Sequence, residues 1–286
     1  MLSHFKSFVL ITSLVVISVF LVNGQDKISA EKKPKEKPAK QEKPAKEEKI
    51  DNKQAKNLPT KEATPEQVAE SAIVIYSGFR GIEGLKQVRK TTIERGKFRV
   101  TNADGTIDQA NYEKRILRGD TLDKEKIRFD QEFPTAKFAL IYNDNKIVGV
   151  FNDSVFTPRD DASKAFQNQI WHGLEALLRY KANEATLALG TKEKYMAVDY
   201  YTLDVTDKQN RKTRFFISAK TFRVMWLEYT EDEIKYIRKF SDYRDAQGTL
   251  VPYRSVLTAN GKTIEETTIS TITYGQKVDD GVFQTS

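Results

Sequence analysis

Two periodicities divide the chain between Thr64 and Phe283. Behind Thr64-Pro65-Glu66, the apolar residues Val68, Ala69, Ala72, Ile73 and Tyr76 recur at helical spacing. Thr64 suits the cap of a first turn, Pro65 gives up an N–H that has no partner there, and Glu66 meets the positive end of the helix dipole. The spacing predicts a helix ended by Gly78, Gly81 and Gly84, a glycine cluster that reads as a flexible turn. Extended segments follow at 88–100, 107–117, 126–133, 137–142 and 147–151. Along Ile127 to Asp130 and Phe138 to Tyr142, apolar residues roughly alternate with polar or small ones, as a half-buried strand requires. From Asp160 to about Ala182 the helical period returns, with Phe166, Ile170, Trp171, Leu174, Leu177, Leu178 and Tyr180 on one stripe, which predicts one long helix.

Beyond that helix the chain runs strand after strand: 195–205, 213–218, 222–229, 233–243, 250–258 and 263–274. Short turns such as Ala246-Gln247-Gly248 and Asn260-Gly261 separate them, so neighbours in sequence are expected to pair in one large antiparallel meander. The predicted class is α+β, a strongly curved antiparallel sheet with helices across its concave face. Phe129, Phe138, Leu140, Phe166, Ile170, Trp171, Leu174, Phe215, Trp226 and Tyr236 are the candidates to line a space between sheet and helix. The plainer reading of the same residues is a packed core.

The first 62 residues follow neither period. Lys6, the apolar run from Phe8 to Val22 and the short residues before Gln25 read as an export signal spanning 1–24. That run is about 15 residues, short of the roughly 20 that a membrane-spanning helix needs. Cleavage before Gln25 is the expected outcome, and an uncleaved anchor is the alternative. Residues 25–62 hold three Lys-Pro pairs, many Lys and Glu, and no aromatic residue. Such a stretch buries too little apolar surface to offset its ordering entropy, so a disordered tether is expected before a domain at 63–286.

Charge changes the picture only in where it lies. The formal net charge is +7, and most of it sits in the tether, which leaves the folded part near neutral. Nucleic acid is therefore not an expected partner. The tether is read as a soluble spacer, with an envelope protein, anionic headgroups or a cell-wall polymer as the alternative partner. The chain has 0 Cys, so neither a disulfide nor a lipid-bearing cysteine is available.

Catalytic candidates are few. Of the 2 His, His4 lies in the signal and His172 beside Trp171 in the long helix, with no second histidine to share a metal. The carboxylate pairs Asp160-Asp161, Glu265-Glu266 and Asp279-Asp280, and the run Glu231-Asp232-Glu233, sit at predicted caps, turns and strand edges. Adjacent strand residues point to opposite faces, so none reads as a paired acid and base. The glycine cluster follows a helix instead of a strand and lacks the Lys-Ser/Thr of a phosphate loop. No catalytic residue, metal or cofactor is expected.

The C-terminal region resembles that of the outer-membrane lipoprotein-sorting family, the relatives of the lipoprotein carrier LolA and its receptor LolB. The matching positions are Asp242, Tyr243, Gly248, Pro252, Asp280 and Phe283, and the start is similar too, with an export signal, a helix and a glycine cluster. The resemblance covers about residues 64–286. It implies an unclosed β half-barrel with apolar lining and a helical lid, holding acyl chains of a lipid or lipoprotein in the periplasm. The competing expectation is a non-catalytic envelope scaffold or interaction module whose sheet is filled by its own side chains.

Overall fold

The computed structural model describes residues 63–284 apart from Ala103; the expected signal and tether lie outside the described residues. Two helices come first, α1 (Pro65–Tyr76) and α2 (Gly81–Val88). Six strands follow: β1 (Thr91–Thr101), β2 (Ile107–Leu117), β3 (Lys126–Glu132), β4 (Lys137–Asn143), β5 (Lys146–Phe151) and β6 (Ser154–Phe156). The helices α3 (Asp160–Trp171) and α4 (Leu174–Leu178) lead to β7 (Thr186–Leu189), β8 (Glu193–Tyr195), β9 (Val198–Thr206), β10 (Lys212–Ser218) and β11 (Val224–Glu231). The chain closes with β12 (Ile234–Ala246), β13 (Thr249–Ala259) and β14 (Lys262–Tyr274).

All strands belong to one 14-stranded antiparallel sheet, in the order β6-β5-β4-β3-β2-β1-β14-β13-β12-β11-β10-β9-β7, with β8 paired to β9. The first and last strands meet at its centre, where Thr92 pairs with Tyr274 and Val100 with Glu265. The chain lays β1 to β6 outward in one direction, crosses through α3 and α4, and returns from β7 to β14 on the other side. Among the described residues no pairing joins β6 to β7, so the sheet is an unclosed half-barrel. Side chains from α1, α3 and α4 pack with the inward positions of both halves in one core cluster, including Ile73, Phe166, Leu177, Phe129, Leu203 and Leu227.

The first helix forms as its sequence predicts. The Thr64 hydroxyl accepts from the Gln67 N–H and the Gln67 side chain accepts from the Thr64 N–H, a capping box ahead of Pro65. Its last residue, Tyr76, is buried against the sheet: the Tyr76 hydroxyl lies 3.3 Å from that of Tyr243 and accepts from the Val224 N–H at 3.3 Å. The Tyr243 hydroxyl in turn donates to the Val224 carbonyl. Burial pushes the Tyr76 hydroxyl up to about 12, so both phenols stay neutral links between helix and strand.

Two local expectations are corrected, and three short strands are added. The glycine cluster is not simply a turn, since Gly81 to Val88 form α2. Two glycines weaken such a helix by roughly 1 kcal/mol each, yet burial of Leu85 and the anchoring of the following Arg89 hold it in place. The long second helix is two helices, because Gly173 is extended (φ −91, ψ 179) and the ring of His172 is captured by the sheet. The short strands β6, β7 and β8 went unpredicted; at four residues or fewer, their periodicity is too brief to read.

Gly78 ends α1 with φ +59, and a Cβ built there would lie 2.2 Å from the carbonyl oxygen of Gly248 in the β12–β13 turn. Gly78→Ala combines a left-handed backbone with a backbone clash, so a loss of more than about 2 kcal/mol is expected in urea unfolding. A loss under about 0.5 kcal/mol would show that this helix–turn contact yields.

Candidate functional site

Strand alternation brings charged residues to the inner face. On β2 the inward row is Ala110, Tyr112, Lys114 and Ile116, and on β12 it is Tyr236, Arg238 and Phe240. On β14, Glu265 and Thr267 take the same face, while Glu175 reaches down from α4. A cavity of about 220 Å³ lies between these strands and the α3–α4 junction. A second space of about 130 Å³ lies beneath α3, with Leu122, Ile127, Phe166 and Ile170 in its wall. The two share Lys114, Ile116, Arg118, Gln169, Leu174 and Glu175, so they are adjoining compartments.

A chain of ion pairs fixes α4 over this space. Arg89 Nη1 lies 3.0 Å from Glu175 Oε1, and Arg118 Nη2 lies 3.2 Å from the same oxygen. Arg118 Nη1 reaches Glu125 at 3.0 Å, and Arg179 pairs with Glu125 from the other side. The Glu125 side chain is only 2% exposed, so this carboxylate depends on its two guanidinium partners. Burial acts to raise the Glu175 carboxyl, but Arg118, Arg89 and Arg179 outweigh it and hold it down at about 2. A separate pair, Arg238 to Glu265 at 2.8 Å, closes the floor of the larger cavity. There too burial opposes ionisation of Glu265, and Arg238 prevails.

Lys114 is the exception in this set. It has no ion-pair partner among the described residues; its ammonium lies 3.5 Å from Gln169 Oε1 and 4.7 Å from the centre of the Phe129 ring. Burial pushes Lys114 below its ordinary value, against the opposing pull of Glu94 and Glu265. Three buried groups in the same wall lack partners within the protein: the Thr92 hydroxyl, Arg89 Nε and Arg118 Nε.

The sequence-derived candidates separate into several places. Phe129 and Phe166 stack at 6.0 Å, and they join Phe98, Tyr112, Phe133 and Phe138 in one aromatic array. Leu140 pairs across from Phe129 and is buried with it. Ile170 and Leu174 line the cavities. Trp171 packs against Arg211 instead, whose guanidinium lies 3.8 Å from its ring centre. Phe215 is wholly buried in the packed core opposite Leu227. Trp226, in register with Phe216, lies on the other face of the sheet and stacks on that ring at 4.4 Å. Phe215 and Trp226 therefore do not face a common space. Tyr236 stacks on Tyr229 at 4.9 Å, and Tyr229 carries the His172 ring at 4.1 Å.

Sequence reasoning did not single out Arg89, Lys114, Arg118, Glu175 or Arg238, and it read Glu265 only as half of a carboxylate pair at a strand edge. A signal existed for two of them: Lys114 and Arg238 occupy inward positions of an otherwise apolar alternation, where a charge needs a reason. The carboxylate pairs noted in the sequence are instead held by bases: Asp161 by Arg159, Glu231 and Asp232 by Lys164, Glu265 by Arg238, Glu266 by Arg254, and Asp280 by Lys126. Among the described residues no group of three His, Cys, Asp or Glu is arranged to hold a metal ion. Nor, among them, is any helix long and apolar enough to cross a membrane.

No family model matches the sequence, and no curated protein matches it. Solved structures do. A LolA superfamily protein from Nitrosomonas europaea is 14% identical with a TM-score of 0.54, covering 78% of this chain and 98% of that one. A DUF1329 family protein from Desulfovibrio piger is 12% identical with a TM-score of 0.55 and the same coverage, 78% and 98%. A domain from Vibrio parahaemolyticus named for outer membrane lipoprotein sorting is 12% identical with a TM-score of 0.52, covering 77% and 97%. At these identities the likeness is one of architecture, and the chain has a LolA-like fold.

A substitution and a pH titration test the buried groups. Glu175→Gln removes the charge shared by Arg89 and Arg118 and is expected to cost about 3–5 kcal/mol; a change below about 1 kcal/mol would mean that the cluster is solvated. His172 is held at about 4 by burial and by Arg211, with Asp207 opposing, against 6.5 for the free side chain. Its neutral form belongs to the fold, so stability is full above pH 6.5 and declines by up to roughly 3 kcal/mol as pH falls toward 4. His172→Phe should flatten that slope in urea titrations across the window, and an unchanged slope would remove His172 as its cause.

Proposed function

We propose that this protein is an exported, non-catalytic carrier or sensor that takes an acyl chain of a lipid or lipoprotein between sheet and helices in the periplasm. The observation that carries the reading is the hollow under α3 and α4, in an open sheet whose two edges are bridged by those helices. Phe166, Ile170 and Leu174 are the lining residues placed to meet the chain, and α3 with α4 is the lid. A chain burying on the order of 300 Å² of apolar surface gains about 7 kcal/mol before association costs, which leaves a complex that can exchange.

One observation favours the competing reading, an envelope scaffold or interaction module with a filled interior. The array around Phe98, Phe129 and Phe166 is packed ring on ring, and each compartment under α3 and α4, at about 220 and 130 Å³, is smaller than the roughly 300–1,000 Å³ of typical ligand sites. On the carrier reading the helices must move outward to admit a full-length chain. The basic tether then serves as a spacer, with an envelope protein or cell-wall polymer as its alternative contact.

Protein purified from its own host is expected to carry lipid detectable by mass spectrometry. Leu174→Trp projects bulk into both compartments and should weaken binding of a fluorescent fatty acid at least about tenfold, while thermal unfolding shifts by only a few degrees. Lipid-free protein, together with unchanged probe binding in Leu174→Trp, would favour the filled scaffold.

A further inference from the structure

Resting on the carrier reading, we propose that the guest enters head first: a single-chain amphiphile with an anionic head, a carboxylate or phosphate monoester, placed against Lys114 in the larger cavity with its tail in the adjoining one. The charge count points to this chemistry. The walls of the larger cavity bring together Arg89, Lys114, Arg118 and Arg238 against Glu94, Glu175 and Glu265, one more cation than anion. The three arginines are paired with Glu175 and Glu265, whereas Lys114 is left with a long contact to the neutral Gln169. A half-buried ammonium with no direct ion-pair partner, set back from Glu94 and Glu265, is the group in this wall that an incoming anion can still pair with.

The neutral donors lead to the same place. The Thr92 hydroxyl is buried without a partner in this wall, and Arg89 and Arg118, whose Nε atoms also lack partners, belong to the same wall. A carboxylate or phosphate accepts from several such donors at once, while an alcohol or an amide serves fewer of them. A volume of about 220 Å³, equivalent to about seven waters at roughly 30 Å³ each, suits a headgroup and not a long chain. The neighbouring space is bounded by Leu122, Ile127, Phe166 and Ile170, which suits the first methylenes. Lys114 and Gln169 stand in the wall common to both, where head and tail would join.

The test measures binding of decanoate, decyl phosphate, decanol and decyltrimethylammonium, each below its micelle concentration, to delipidated protein from its own host. The two anions are expected to bind at least about tenfold more tightly than decanol, with the cation weakest. The tighter of the two anions then tells a fatty acid from a phosphorylated lipid as the source. Lys114→Met should bring the anions down to the level of decanol, with thermal stability unchanged or higher. Thr92→Val, a milder change, should lower anion binding alone. Equal binding of anions and alcohol, or a preference that survives Lys114→Met, overturns the inward head but leaves the carrier standing. Binding of none of the four overturns both.

Discussion

Arg118 holds the helical layer to the sheet. At the end of β2 it bridges Glu125 and Glu175, and through them it connects Arg179, Arg89 and the start of α4. None of these charges could be buried alone, because the desolvation of each is offset only by the others. The set therefore forms together, and its geometry decides how far α4 stands from the strands. What lies beneath is consequently a space with a charged floor and an apolar annex, in place of a uniformly greasy trough.

Two further constraints shape that space. Meeting of the first and last strands at the sheet's centre leaves the edges at β6 and at β7 with β8, so the sheet curves without closing. The helices crossing between those edges are hinged at His172 and Gly173, where a ring stacked on Tyr229 and an extended glycine replace a helical turn. A straight helix over the same residues could not present both Ile170 and Glu175 to the two compartments as they stand. The tyrosine pair Tyr76 and Tyr243 fixes the other side of the helical layer.

The positions that first pointed to the lipoprotein-sorting family are structural. Tyr243 ties strand to helix, Gly248 makes room beside Gly78, Asp280 pairs with Lys126, and Phe283 is buried. Pro252 alone borders the larger cavity. They report how the chain folds and not what it holds, in keeping with a likeness at 12–14% identity that is one of architecture.

The periodicity along the chain by itself determined the order of the major elements, the antiparallel meander and the capped first helix, because each rests on residues within a few positions of one another. The break at Gly173 and the helix after Gly81 were beyond it, since both are set by contacts with strands far away in the chain. The same holds for the site. Alternation for Phe129 and helical spacing for Phe166 determined that both face inward, but whether inward aromatics fill the interior or border a hollow depends on how two layers meet. Only the tertiary structure sent Trp226 to the outer face with Phe216, and only it brought Arg89, Lys114, Arg118, Glu175, Arg238 and Glu265 together from the end of α2, from α4 and from opposite halves of the sheet. Coulomb energy between residues so distant in sequence has no local signature until folding makes them neighbours.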